Sequence, residues 1–396
     1  AASWPYYLAA YKPERTLACI SVSGQWPYHR DRWLCPDIWG ERNINKIPCL
    51  ETMGEYESAH TWSNEGLKER KEHPLLPLSM LACPAEGHFA YTPEKAQYIA
   101  LYIKKAMHYG HVDPTKEGWL MERWKKNEKP SSIPAPVNQF KGDLAQAFWF
   151  FDREMIEATL AYQSRYYDMK PQLVSVSQNG KTVSQQNTHL QVHPAFMPQE
   201  DGITFQLTPV FLDTVPGESP RLSNWTDLPV GASIGHAGKT PVLQMITGPA
   251  VLVDSVTFRI QWNRGTLWTD KKSDIVFSIT HPGDEEYKPA VQQAQMTIPV
   301  KNTEGQQQHI KFATLPDIKR GTKYVSLSAV SSCGLPVDFY VESGPAYVDG
   351  NRLILTAIPP KTTYPVKVTV IAWQYGKNSD PKIKTAEPVK QTFYIR

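Results

Sequence analysis

His88 follows the short apolar run of "LACPAEGHF" and precedes a long periodic one, "TPEKAQYIALYIKKAMHYG". An imidazole can take the proton of a hydroxyl nucleophile at neutral pH, and it works best when a carboxylate fixes its tautomer and stabilises the imidazolium. An ordinary surface-loop histidine has the same local sequence, so the choice depends on the elements around it. His193 in "HPAFMPQEDGITF" and His236 in "IGHAGK" have no partner at metal-ligand spacing and read as surface-loop histidines. The cysteines, at positions 19, 35, 49, 83 and 333, form no C-x-x-C pair. They read as buried thiols, one bridge among the first four being the alternative in an oxidising compartment. No metal or other cofactor is expected.

The elements that would position His88 alternate between strand and helix. "AASWPYYLAAYKPERTLACISVSG" begins as a helix with Trp4, Tyr7, Leu8 and Tyr11 at helical spacing, stopped by Pro13, and continues into a strand over Leu17 to Val22. That strand is as apolar as those buried on both faces of a parallel sheet, which suggests earlier strands upstream. "KIPCLETMGEYE" is a second short strand ending in a glycine and acidic residues, and "SNEGLKERKEH" is a polar helix. The third strand ends just before His88. The helix after it has Thr92 as cap, Pro93 at its first position, and Ala96, Ile99, Ala100, Ile103 and Met107 as its apolar face. Such alternation implies an α/β sheet.

In the order of these elements, residues 1–112 resemble the carboxyl-terminal half of an α/β-hydrolase, with "GEYE" and "EGHF" in the places of that family's acid and histidine. The resemblance implies His88 as general base and Glu57, fourth residue of the family's G-x-x-D pattern, as the acid, with Glu55 as the alternative. It also puts the nucleophile just upstream of Ala1, with the oxyanion hole in the absent half, so that this chain alone is expected to be inactive. Ser3, the nearby alternative nucleophile, lacks flanking glycines and falls inside the helix.

Beyond residue 112 the composition changes. Residues 113–170 read as a Pro-rich helical connector, in which "GDLAQAFWFFDREMIEATLAYQSRYY" is expected as one helix capped by Asp143, with Leu144, Ala147, Phe148, Phe151, Met155 and Thr159 along one stripe. Residues 171–305 read as a β-rich domain, opening with the Asn-Gly hairpin "QLVSVSQNGKTV" and continuing through "ITFQLTPVFLD", "VTFRIQWNR" and "DIVFSITHPG". The last part, 306–396, contains "SSCGLPVDFYVESGPAYVDGNRLILT" and resembles bacterial Ig-like β-sandwich domains. The fold class is therefore multidomain: a partial α/β-hydrolase sheet, a helical connector and β-sandwich domains. The 33 prolines and the 12 Trp, 19 Tyr and 13 Phe suit strands and turns better than long helices.

A net charge of +3 gives no reason to expect nucleic acid as a partner, and no run of about 18 apolar residues exists to span a bilayer. The resemblances together imply the carboxyl-terminal portion of a serine hydrolase of esterase or peptidase type. Its substrate would be an ester or peptide, possibly linked to a polymer or carbohydrate. The Ig-like tail implies a secreted, periplasmic or cell-surface bacterial location. A noncatalytic surface- or polymer-binding protein with a remnant hydrolase segment is the competing expectation.

Overall fold

The computed structural model describes residues 3–28, 44–184, 191–217 and 225–396. It opens with helix α1 (Trp4–Tyr11) and three parallel strands, β1 (Cys19–Val22), β2 (Cys49–Gly54) and β3 (Leu78–Cys83), in the order β1-β2-β3. Every residue of β2 and β3 is buried, which explains why both read as continuous apolar runs and not as alternating ones. Helix α2 (Ala59–Glu72) joins β2 to β3, and α3 (Pro93–Tyr109) follows β3. Thr92 caps α3 by accepting from the Lys95 N–H, and Pro93 takes the first turn, where its missing N–H costs nothing.

Two helices turn a different face to the core from the one expected. In α3 the buried positions are Lys95, Tyr98, Tyr102 and Ala106, while Ile103 and Met107 are exposed. In α1 Tyr6 and Ala9 are buried, while Trp4, Leu8 and Tyr11 are exposed. The tyrosines supply large apolar bodies, and the buried lysine head is paired with a carboxylate, so side chains that score as polar fill the core face.

The stretch expected as one helix from Asp143 is divided. β4 (Trp119–Glu122) pairs with β5 (Ala135–Pro136) and with β6 (Ala147–Phe150), and only then does α4 (Arg153–Gln163) begin. Asp143 caps a single 3₁₀ turn, and Asp152 caps α4 by accepting from the Met155 N–H. All four residues of "AFWF" are buried, a short run whose periodicity cannot separate strand from helix. Residues 113–162 are no spacer: Leu120, Trp124, Phe148, Trp149 and Met155 enter the same apolar core as Tyr6, Leu50 and Leu81.

From residue 174 onward the strands pair antiparallel among the described residues, apart from Gln191–Val192 beside Gln293 and Ala294 and a few isolated parallel bridges. The Asn-Gly hairpin forms, with Val174–Gln178 and Lys181–Thr182 paired and Asn179 and Gly180 both at positive φ, as a type I′ turn requires. The longest pair, Lys272–His281 with Ala290–Pro299, forms the centre of a four-stranded sheet. In the last ninety residues the sheet containing Asp338–Ser343 and Val366–Trp373 faces the one containing Tyr324–Ser326 and Arg352–Leu355 across Phe339, Leu353, Val368 and Val370, which makes a β-sandwich. Its outer side is not free. Tyr340, Ile371, Trp373 and Tyr375 join the core of the preceding β region.

Cys19, Cys49 and Cys83 are free buried thiols and Cys333 is free and partly buried; Cys35 falls outside the described residues. Among the described residues no helix is long and apolar enough to cross a membrane.

Candidate functional site

β2 and β3 are neighbours in register up to Gly54 and Cys83, so the segments that leave them emerge side by side at the carboxyl edge of the sheet. Ligand sites of open α/β sheets form at that edge. After β2 comes one 3₁₀ turn, Glu55–Glu57; after β3 comes the loop that ends in His88. The two are bonded to each other: Tyr56 N–H donates to the Glu86 carbonyl at 3.0 Å, and Ala85 N–H donates to Glu55 Oε2 at 2.8 Å. A Cβ on Gly54 would lie 2.3 Å from the Glu86 carbonyl oxygen, so only glycine permits this approach. Ser58 and Ala85, which flank the two segments, hold φ of 71° and 57°, sparsely populated values for residues with a Cβ.

His88 Nδ1 lies 2.6 Å from Glu57 Oε1. The carboxylate is almost fully covered, with 5% of its side chain exposed, and its other oxygen accepts from Gly54 N–H at 3.2 Å. The imidazole is 44% exposed. A carboxylate at this distance fixes a proton on Nδ1 and leaves the Nε2 lone pair outward, the tautomer that a general base needs. The hydrogen bond to Glu57 raises the His88 pKa above the ordinary histidine value, against the opposing effect of partial burial. Nε2 makes no hydrogen bond among the described residues.

Glu55 is engaged differently. Its Oε1 accepts from Lys288 Nζ at 2.6 Å, with both side chains nearly fully buried, and Lys126 Nζ stands 4.0 Å away. Its oxygens point to the backbone of the His88 loop and to the β region, and it makes no bond to the imidazole. Ser3 sits at the N-cap of α1, and no hydrogen bond joins it to His88. His193 is exposed after the short strand Gln191–Val192, and His236 stacks on Phe211 with Nδ1 2.7 Å from the Ala237 carbonyl.

Several residues that support the site have no local sign in the sequence. Glu86, two positions before His88, is buried, accepts from Arg165 at 2.9 Å and from the Tyr162 hydroxyl at 2.5 Å, and has Lys95 Nζ 2.6 Å from its Oε2. That last pair is an ion contact outside hydrogen-bond geometry. Glu51, fully buried within β2, accepts from Gly24 N–H and the Trp62 indole, but among the described residues its Oε2 has no hydrogen-bond partner and no cation offsets its burial. Burial drives its pKa well above the carboxylate range. The visible signal for Lys95 is a lysine on the tyrosine face of an otherwise solvated helix; Lys288 lies 233 residues from Glu55 and has no such signal.

No protein-family profile matches the chain, and no curated protein matches it in sequence. Solved structures overlap part of it. Human Protocadherin-24 EC1-2 is 11% identical at a TM-score of 0.19, covering 52% of this chain and 93% of that one. Drosophila N-cadherin EC1-4 is 7% identical at 0.18, covering 58% and 51%.

Proposed function

We propose that this chain is the carboxyl-terminal portion of a secreted serine hydrolase of esterase or peptidase type. His88 is its general base, Glu57 the acid that orients it, and the β-sandwich modules hold it at a surface or polymer. The observation that carries this reading is the 2.6 Å bond between His88 Nδ1 and a buried Glu57 carboxylate, at the carboxyl ends of two adjacent parallel strands. In a finished triad Nε2 takes the proton of an attacking serine hydroxyl, which the described residues do not bring to it. The imidazolium so formed is stabilised by Glu57 and then returns the proton to the leaving group. An Ig-like character for residues 306–396 and an extracellular bacterial location belong to the same proposal.

The test is hydrolysis of an activated ester and of a peptide by the product of the whole reading frame that encodes the chain. His88→Ala should lower turnover by several orders of magnitude, and Glu57→Gln should also be severe, because each removes part of the machinery that moves the hydroxyl proton. Full activity in His88→Ala would overturn the reading and leave a noncatalytic binding protein as the alternative.

A further inference from the structure

The β region from 171 to 305 presses on the acid turn through several contacts. Lys288 Nζ meets Glu55 Oε1 at 2.6 Å, with about a twentieth of either side chain exposed. Beside it the Tyr56 hydroxyl donates to the Pro289 carbonyl at 2.7 Å, and the Tyr56 ring packs against Trp225 with centroids 4.9 Å apart. Gly87, next to His88, faces Val291 and Gln293 on the same strand, close enough that a Cβ would lie 2.9 Å from Val291. Lys288 is itself fixed, because its N–H donates to the Lys170 carbonyl at 3.0 Å and its carbonyl accepts from Gln172 Nε2 at 2.8 Å. Glu55 therefore lies between two rigid partners, the Ala85 N–H of the histidine loop and the Lys288 ammonium of the β region.

Glu55 and Tyr56 immediately precede Glu57 in a turn of three residues. When both are pinned, the carboxylate of the third has little freedom to swing away from the imidazole. From this we infer that the β region is a working part of the site, and that Lys288 is a positioning residue that holds Glu57 on His88 through Glu55. The inference rests on the reading of His88 and Glu57 as base and acid, and it deepens that reading: the β region that follows the α/β part sets the geometry of the pair and is more than a spacer.

The experiment follows the titration of His88 by NMR in the whole chain. Glu57→Gln tests the underlying reading, because His88 should then titrate closer to the ordinary value of about 6.5. Lys288→Met tests the positioning role but strands a buried carboxylate, with Lys126 at 4.0 Å as the remaining cation among the described residues. Glu55→Gln/Lys288→Met is therefore measured beside it, since it removes the tether without leaving a charge unpaired. In the folded double variant the His88 midpoint should fall toward the Glu57→Gln value, although Glu57 is intact. In the whole-reading-frame product kcat should fall about 10- to 100-fold with KM little changed. Positioning is overturned if the double variant unfolds cooperatively as wild type does and His88 titrates as before. It is also overturned if the variant loses its cooperative transition, which would mark the pair as structural alone. A Glu57→Gln protein whose His88 midpoint does not move would instead sink the assignment of acid and base.

Discussion

The acid turn and the base loop are built alike and anchored to different places. In each, a buried glutamate stands two residues before the group that would do the chemistry: Glu55 before Glu57, Glu86 before His88. Glu86 finds its partners within the α/β part, in Lys95 on α3 and in Tyr162 and Arg165 at and just beyond the end of α4. Glu55 finds its partner in the β region, 233 residues along the chain. The buried ion pair before His88 is thus made within its own fold unit, whereas the one before Glu57 is made from outside it. The β region also touches the His88 loop, through Val291 and Gln293 against Gly87, but the buried ion pair that it supplies goes to Glu55 alone.

The largest effect should come from breaking the base anchor. Glu86→Ala leaves the Lys95 ammonium, 6% exposed, without its carboxylate and deprives Arg165 and Tyr162 of their acceptor. Leaving a buried charge uncompensated costs about 3–5 kcal/mol. Urea unfolding of the whole chain should show a loss of that size, and a loss below about 1 kcal/mol, typical of exposed ion pairs, would mean that this anchor is not buried in solution.

Glu51 sharpens the contrast, because it is as buried as the two anchors and has no cation among the described residues. Its folded pKa is raised above the unfolded value, so its ionisation opposes folding as the pH climbs above the ordinary carboxylate range of about 4.3. Glu51→Gln should thus be more stable than wild type at neutral pH, with the gain shrinking as the pH falls toward 4. Thermal unfolding across that range checks it, and a Gln variant less stable at pH 7 would show that the carboxylate has found an ionic partner.

The His88–Glu57 bond gives the opposite sign. His88 has a folded pKa above its unfolded one, so the pH-dependent part of its stabilisation is complete below about pH 6.5 and is lost as the pH rises through the folded value. The stability gap between wild type and Glu57→Gln should be widest between about pH 5 and 6.5 and narrow above it. A gap that stays constant as the pH rises from about 5 through the folded His88 value would mean that Glu57 is not the group perturbing His88.

Much of this was legible in the sequence where local chemistry governs structure. Continuous apolar runs marked the two buried parallel strands, Thr92 and Pro93 marked the start of α3, and Asn179-Gly180 marked a hairpin. The order of strand, acid, helix, strand and histidine directed attention to Glu57 and His88, which the structure places in hydrogen-bond contact. Three things were not legible. Hydrophobicity alone picked the wrong faces of α1 and α3, because Tyr98 and Tyr102 bury their rings and Lys95 buries its charge against Glu86. "AFWF" could have been strand or helix until its pairing with β4 was known. Lys288 and Glu55 meet only because the chain folds a β domain back onto the acid turn.

The smallest predicted effect isolates that return contact. Tyr56→Phe removes the donor to the Pro289 carbonyl and keeps the ring against Trp225 and under the Lys288 ammonium, 5.7 Å from its centroid. One such hydrogen bond contributes about 1 kcal/mol, and the lost partner is a carbonyl, so no charge is stranded. Denaturant unfolding should register about that loss, with the steepness of the transition unchanged because the surface exposed on unfolding is the same. Since Tyr56 and Lys288 grip the same turn, their effects should not add: Tyr56→Phe in a Lys288→Met background should cost measurably less than it does in wild type. Strict additivity would mean that the two contacts hold the acid turn independently, and that Lys288 alone carries the coupling between the β region and Glu57.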